Sequence, residues 1–271
     1  MNMRHVFMRK IPEKIYKELE KNIYDGISLP KSAIVLFWTV LCLYFVNMKT
    51  SRLYAVFFGI LFYASLLALC LILFKDIKRY LSFPKENKIL PRFIGYKPDI
   101  ILIYPIFLMS LIGAINNLLI ASGIFPEALQ KMSVAVSDPI ELFAKIITLP
   151  FVAFTEELIN LLLVSLAFNK MKFSGNIRLI VSILLAALIF GILHSIGWGL
   201  KTALLIGISY IPVFFATLYT GNIWISFLAH FYNNFISLFK SYYGNFHFII
   251  VAAICLIPFV WAIKAIVRKS V

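Results

Sequence analysis

Acidic residues are scarce in this chain: 12 Asp and Glu stand against 26 Lys and Arg in 271 residues, a formal charge of +14. Such an excess raises nucleic acid as a partner. The basic residues, however, lie between apolar runs, which is the placement expected of loops facing anionic lipid headgroups. We expect no nucleic-acid partner. Cysteine is rarer still, with only Cys42, Cys70 and Cys255, all inside apolar runs. With no CxxC pair, neither a disulfide framework nor a cysteine metal site is expected, and the three read as small buried hydrophobes. Internal repeats, low-complexity segments and a second domain are also lacking. The first 30 residues show no apolar stretch leading to a small-residue cleavage site, so no cleaved secretory leader is expected there.

What is abundant is apolar surface. Hydrophobic residues make up 62% of the chain and the mean hydropathy is +0.92, far above the 45–50% apolar share usual in soluble domains. The fold class expected is all-α: a polytopic helical membrane protein of about eight transmembrane helices with a six-helix core. A span needs about 20 mostly apolar residues, and eight fit, at 32–48, 53–74, 100–121, 140–168, 179–198, 202–219, 222–240 and 247–264. Basic residues set the orientation. With the N-terminus inside, the inner segments hold twenty and the outer ones five. Both termini are therefore expected in the cytoplasm, in a multi-pass protein of the cell membrane. The organisation reads as an amphipathic segment (1–31, with Ile11, Ile15, Leu19 and Ile23 at spacing four), a hairpin (32–74), a basic cytoplasmic loop (75–99), the core (100–264) and a basic tail (265–271). The amphipathic segment either lies on the inner leaflet or packs as a solvated helix on the cytoplasmic face. Abundant Lys, Ile, Asn and Phe point to an AT-rich bacterial genome.

Against this apolar background a few polar residues stand out. Glu156 and Glu157 lie in PFVAFTEELINLLL, His194 in FGILH, and His230 with Asn234 in FLAHFYNN. An ionisable group at the bilayer centre costs about 2.5–3.5 kcal/mol on insertion scales, so such groups usually face a cavity and mark function. Neighbouring helical residues point about 100° apart, so only one of the two glutamates can face a given ligand squarely. The other is left to make supporting hydrogen bonds. A protonated pair gluing helices together is the structural alternative. His230 and Asn234 share a face at i, i+4, as do Phe190 and His194. His5 and His247 are assigned no role. Together the set can hydrolyse an amide. A glutamate takes a proton from water, imidazoles bind a metal or orient the water and oxyanion, and an asparagine amide donates to the oxyanion. HExxH is absent, and the groups come from three separate helices.

The order Glu-Glu, then Phe-x-x-x-His, then His-x-x-x-Asn, each on its own span, resembles the CPBP family over about residues 100–264. Its members include type II CAAX prenyl endopeptidases and bacterial proteins tied to bacteriocin processing and self-immunity. The resemblance implies an intramembrane protease with a conical cavity. Carried over, Glu156 activates water and Glu157 supports it. His194 and His230 position the water or, with Glu156, bind a divalent metal such as zinc, and Asn234 stabilises the oxyanion. One departure stands out: the family's first motif usually continues to an arginine, and that position is Leu161. The difference bears on substrate positioning and on activity. Asn160, four residues after Glu156, is placed to donate to its carboxylate.

The function expected is thus an intramembrane endopeptidase acting on a membrane-associated peptide or protein, such as a pheromone, a bacteriocin precursor or a membrane regulator. One alternative is a non-proteolytic self-immunity or interaction protein of the same family. The other is a proton-coupled transporter, against which stands the lack of repeated halves or paired broken helices. The sequence does not indicate on which side the cavity opens. Counted at about 1.5 Å per residue, His230 sits about 12 Å and His194 about 24 Å from the inner ends of their spans. A shared site then requires staggered helices or a later start to the fifth span.

Overall fold

The computed structural model describes residues 12–46, 52–83, 99–125 and 138–244, with positions 90 and 97. Those residues form helices and turns without a strand. The eighth span (247–264), the tail, Cys255 and most of the 84–98 stretch lie outside them.

A short helix, α1 (Glu13–Lys21), begins after Pro12 and carries an exposed Lys17–Glu13 pair. Its apolar edge does not face outward alone. Leu19 and Ile23 are buried in the main core, and Asn22 Nδ2 donates to the Leu218 carbonyl at 2.7 Å. The Tyr24 amide donates to Ser165 Oγ, and Asn169 Nδ2 donates to the Tyr24 carbonyl. Segment 19–24 is therefore docked beneath the bundle through buried apolar contact and satisfied backbone groups.

The hairpin α2 (Leu29–Val46) and α3 (Arg52–Leu73) is apolar on all sides, as expected of helices that meet lipid and protein at once. Trp38 Nε1 donates to Ser65 Oγ across it. After α3 the chain turns through Lys75–Ile77 into the single turn α4 (Lys78–Leu81). Phe74, Ile77 and Tyr80 are buried. The carbonyls of Tyr80, Leu81 and Ser82 accept from Ile223 N, Trp224 Nε1 and Asn222 Nδ2. The start of the basic connector is thus a plug under a helical hairpin rather than a free loop.

One wide turn (Asp99–Ile103) leads into α5 (Tyr104–Ala121). The central element is α6 (Pro139–Lys170), 32 residues long, whose second half is enclosed by other helices. Its start is set by the Asp138 side chain, which accepts from Glu141 N at 2.8 Å, and by Pro139 in the first turn. At about 1.5 Å per residue it runs about 48 Å, longer than a hydrocarbon core of about 30 Å. That length explains Lys145, which pairs with Glu141 in the first turns, at 2.8 Å.

Next come α7 (Gly175–Trp198), α8 (Leu200–Ser209), α9 (Ile211–Thr220) and α10 (Trp224–Tyr243). Gly199 makes the α7–α8 turn at φ +77°, a region that favours glycine. α7 and α8 then cross at glycines. A Cβ on Gly191 would lie 2.5 Å from the Ala203 carbonyl oxygen, and one on Gly207 2.5 Å from that of Ala187.

Stretch 202–219, expected as one span, is broken at Tyr210 between α8 and α9. Pro212 is the physical reason, because it has no N–H to offer the carbonyl four residues earlier. Among the described residues, five stretches are long and apolar enough to cross a membrane: Val56–Leu73, Asp99–Ala121, Pro139–Lys170, Gly175–Ile196 and Leu200–Thr220; Leu29–Phe45 is a shorter apolar helix. The seventh expected span, 222–240, corresponds to the helix α10, which is not one of these five.

Candidate active site

Four of the five polar residues meet at one depth. Glu156 stands halfway along α6, His194 in the last turns of α7 and His230 in the second turn of α10. His194 lies about 28 Å and His230 about 9 Å along its helix at 1.5 Å per residue. The helices are staggered. α10 starts deep because its first turn rests on the 80–82 plug, whereas α7 runs from Gly175 through the whole layer.

Glu156 Oε2 lies 3.6 Å from His194 Nε2 and 3.6 Å from His230 Nε2. Its other oxygen, Oε1, accepts from the Tyr63 hydroxyl at 3.4 Å. Each imidazole is held from behind. His194 Nδ1 is 2.9 Å from the Phe190 carbonyl, and His230 Nδ1 is 3.0 Å from Glu157 Oε1. A carbonyl or carboxylate oxygen only accepts, so in both rings the Nδ1 hydrogen points to that partner. In a neutral ring this leaves the Nε2 lone pair facing Glu156. A contact of 3.6 Å is too long for a direct hydrogen bond, and such gaps are where a water bridges polar groups.

The neighbouring glutamates are thus used differently. Glu156 lines a cavity of about 340 Å³, together with Tyr63, His194, Tyr210, His230 and Asn234. Glu157 is completely buried behind His230. Asn234, one turn beyond His230 on α10, lines the cavity rather than joining the carboxylates. The Asn160 amide lies beside Glu157, and neither of its polar atoms closes a hydrogen bond of standard geometry, so it does not serve Glu156. Leu161 is packed in the apolar core.

Beyond the polar cluster the cavity runs in one direction. It is lined by Leu43 near the end of α2, Asn116 on α5, Leu149 on the early part of α6, Trp198 at the end of α7 and Ser237 on α10. All of these lie toward the end of the bundle where α2, α5, α7 and α10 finish.

Three lining residues were not singled out from the sequence. Tyr210 sits at the Pro212 break, packs edge-on to His230 with centroids 5.3 Å apart, and keeps a buried hydroxyl next to Glu157 without a standard hydrogen bond. A proline two residues on in an apolar span was the available signal. Asn116, whose Oδ1 is buried and unbonded, was visible as part of an Asn-Asn pair within a span. Tyr63 carried no signal, since a tyrosine in an apolar helix reads as ordinary packing.

His194, His230 and Glu156 pair through one carboxylate oxygen, and among the described residues no group of three or more His, Cys, Asp or Glu is arranged to hold a metal ion. No step below is routed through one.

Residues 138–236 match the family model of the type II CAAX prenyl endopeptidase Rce1-like proteins. No curated protein and no solved structure matches the chain. The matched segment runs from the cap of α6 into α10 and contains Glu156, Glu157, His194, His230 and Asn234. That segment is similar to an Rce1-like domain, and the family it resembles is one of CAAX-type prenyl endopeptidases. Tyr63, Leu43 and Asn116 lie outside it.

Proposed function

We propose that this protein is an intramembrane endopeptidase in which Glu156 activates a water molecule to cut a peptide bond of a membrane-associated substrate. The observation that carries the reading is the single Glu156 oxygen facing two imidazole Nε2 atoms at equal distance across a cavity of substrate size.

A water held there donates one hydrogen to Glu156 Oε2 and the other to an Nε2. As the water oxygen attacks the substrate carbonyl carbon, its proton passes to Glu156. The carbonyl π electrons move to oxygen, and the Asn234 amide, one turn above His230, donates to that oxyanion. Glu156 then returns the proton to the departing nitrogen as the C–N bond breaks, which leaves a carboxylic acid and an amine. Glu157 keeps the His230 ring in one orientation throughout, because its oxygen fixes the Nδ1 hydrogen.

The test is cleavage of membrane-borne peptides by the purified protein in nanodiscs. His194→Ala and His230→Ala should each abolish cleavage while EDTA leaves the wild-type rate unchanged. Retained cleavage in both variants removes the site. Loss with EDTA that zinc restores returns a metal to it. Self-protection against a bacteriocin that survives loss of Glu156 would favour the immunity reading instead.

The substrate enters from the end of the bundle toward which the cavity extends. Under the orientation that the basic residues favour, this is the outer half of the bilayer. A cysteine placed at Ser237, in a chain without its three native cysteines, should then react with an impermeant thiol reagent added outside intact cells. Reaction only after cell rupture reverses the orientation.

A further inference from the structure

Resting on the proposed hydrolytic reading, we infer that the α2–α3 hairpin is part of the reaction centre: the Tyr63 hydroxyl is a positioning group for the Glu156 carboxylate. A carboxylate on a three-bond side chain rotates freely unless both oxygens are committed. Here Oε2 is aimed at the two imidazoles, while Oε1 has the Tyr63 hydroxyl as its donor. With Oε1 tethered, rotation that would exchange the oxygens or turn Oε2 from the water is opposed.

Tyr63 is itself held. It is buried, and its backbone carbonyl accepts from Thr155 Oγ1 at 3.4 Å, one residue before Glu156. The register of α3 on α6 is thus set at the very turn that carries the base. Further hairpin residues line the same region: Leu43 borders the main cavity, and Thr39 and Cys42 border a small adjoining one with Tyr63, Glu156 and His194. The hairpin residues Thr39, Cys42, Leu43 and Tyr63 lie outside the matched segment 138–236, so that segment is incomplete at Glu156 without the hairpin.

The phenyl ring of Tyr63→Phe keeps the packing and removes only the donor. Misplacement of a reacting group by about 1 Å costs up to about 100-fold, and one lost tether of three is expected to lower kcat about tenfold with KM within twofold. Tyr63→Phe is compared with Glu156→Gln in nanodiscs on any peptide the wild type cleaves. If Glu156→Gln is inactive and Tyr63→Phe keeps its full kcat, the positioning role is overturned while the hydrolytic reading stands. If Glu156→Gln retains wild-type cleavage, the hydrolytic reading falls. The contact is then judged by a double-mutant cycle of thermal unfolding with Tyr63→Phe and Glu156→Leu, which leaves the hydroxyl no acceptor. Non-additive Tm shifts uphold the tether between Tyr63 and Glu156, and additive shifts overturn it.

Discussion

Glu156→Gln should lower peptide cleavage by about 10²–10⁴-fold, the usual contribution of a positioned general base, and leave the protein folded. Glutamine fills the same volume. Its carbonyl oxygen can still accept from Tyr63, and its NH₂ can donate to a histidine Nε2, so the polar contacts of the site survive the exchange. What is lost is the capacity to take a proton from water and return it to the leaving nitrogen. The expected outcome is a variant that purifies as the wild type does, melts at a similar temperature and cleaves at background rate. Glu157→Gln is the informative comparison. Glu157 does not border the cavity but holds His230 Nδ1 at 3.0 Å, so its replacement should reduce kcat by less than that of Glu156. It should also lower the melting temperature, because the amide NH₂ can turn toward Nδ1–H in a fully buried site. Equal losses from the two variants, or a larger one from Glu157, would reverse the roles assigned to them.

The second large effect concerns the α7–α8 crossing. Gly207→Val should destabilise the protein severely, with a melting temperature well below the wild type or failure to accumulate in the membrane. The Cβ would lie 2.5 Å from the Ala187 carbonyl oxygen and 3.3 Å from Gly191 Cα. Both are backbone atoms, which cannot rotate aside as a side chain does. Overpacking of side chains alone costs about 1–3 kcal/mol, and here whole helices must separate. Small residues at such crossings are how membrane helices gain close van der Waals contact without a hydrophobic drive. The displacement would also reach the site, because Gly191 lies three residues before His194 and Gly207 three before Tyr210. Gly113→Ala is the control. A Cβ there meets nothing within 4 Å, so a stable protein with full cleavage is expected. Thermal unfolding in detergent, followed by size-exclusion profiles, separates the two. A Gly207→Val protein as stable as Gly113→Ala would show that the crossing tolerates separation.

Much of this was legible in the primary structure. A helical membrane protein follows from composition alone, since apolar runs of span length have no other stable home. The polar residues of the site were legible by the same logic inverted: a glutamate pair, two histidines and an asparagine in apolar helices are too costly to place without use. The long α6 was legible too, with Asp138 and Pro139 to start it. Helical periodicity alone separates Glu156 from Glu157 on the helix face, but it does not say which of them meets the cavity.

That choice belongs to tertiary structure. Glu156 faces the cavity and Glu157 lies behind His230 because of how α6 is rotated within the bundle, and rotation is set by the packing of its sixteen buried residues. The stagger that brings His230, early on α10, level with His194, late on α7, depends on the 80–82 carbonyls that cap the α9–α10 hairpin, some 140 residues away in sequence. Tyr63 reaches Glu156 across 93 positions. Local sequence specifies helices and marks which residues are expensive, because both follow from each residue's own backbone preference and transfer cost. Which of those residues touch depends on helix rotation, stagger and crossing distance, and these are settled only when all the helices pack at once.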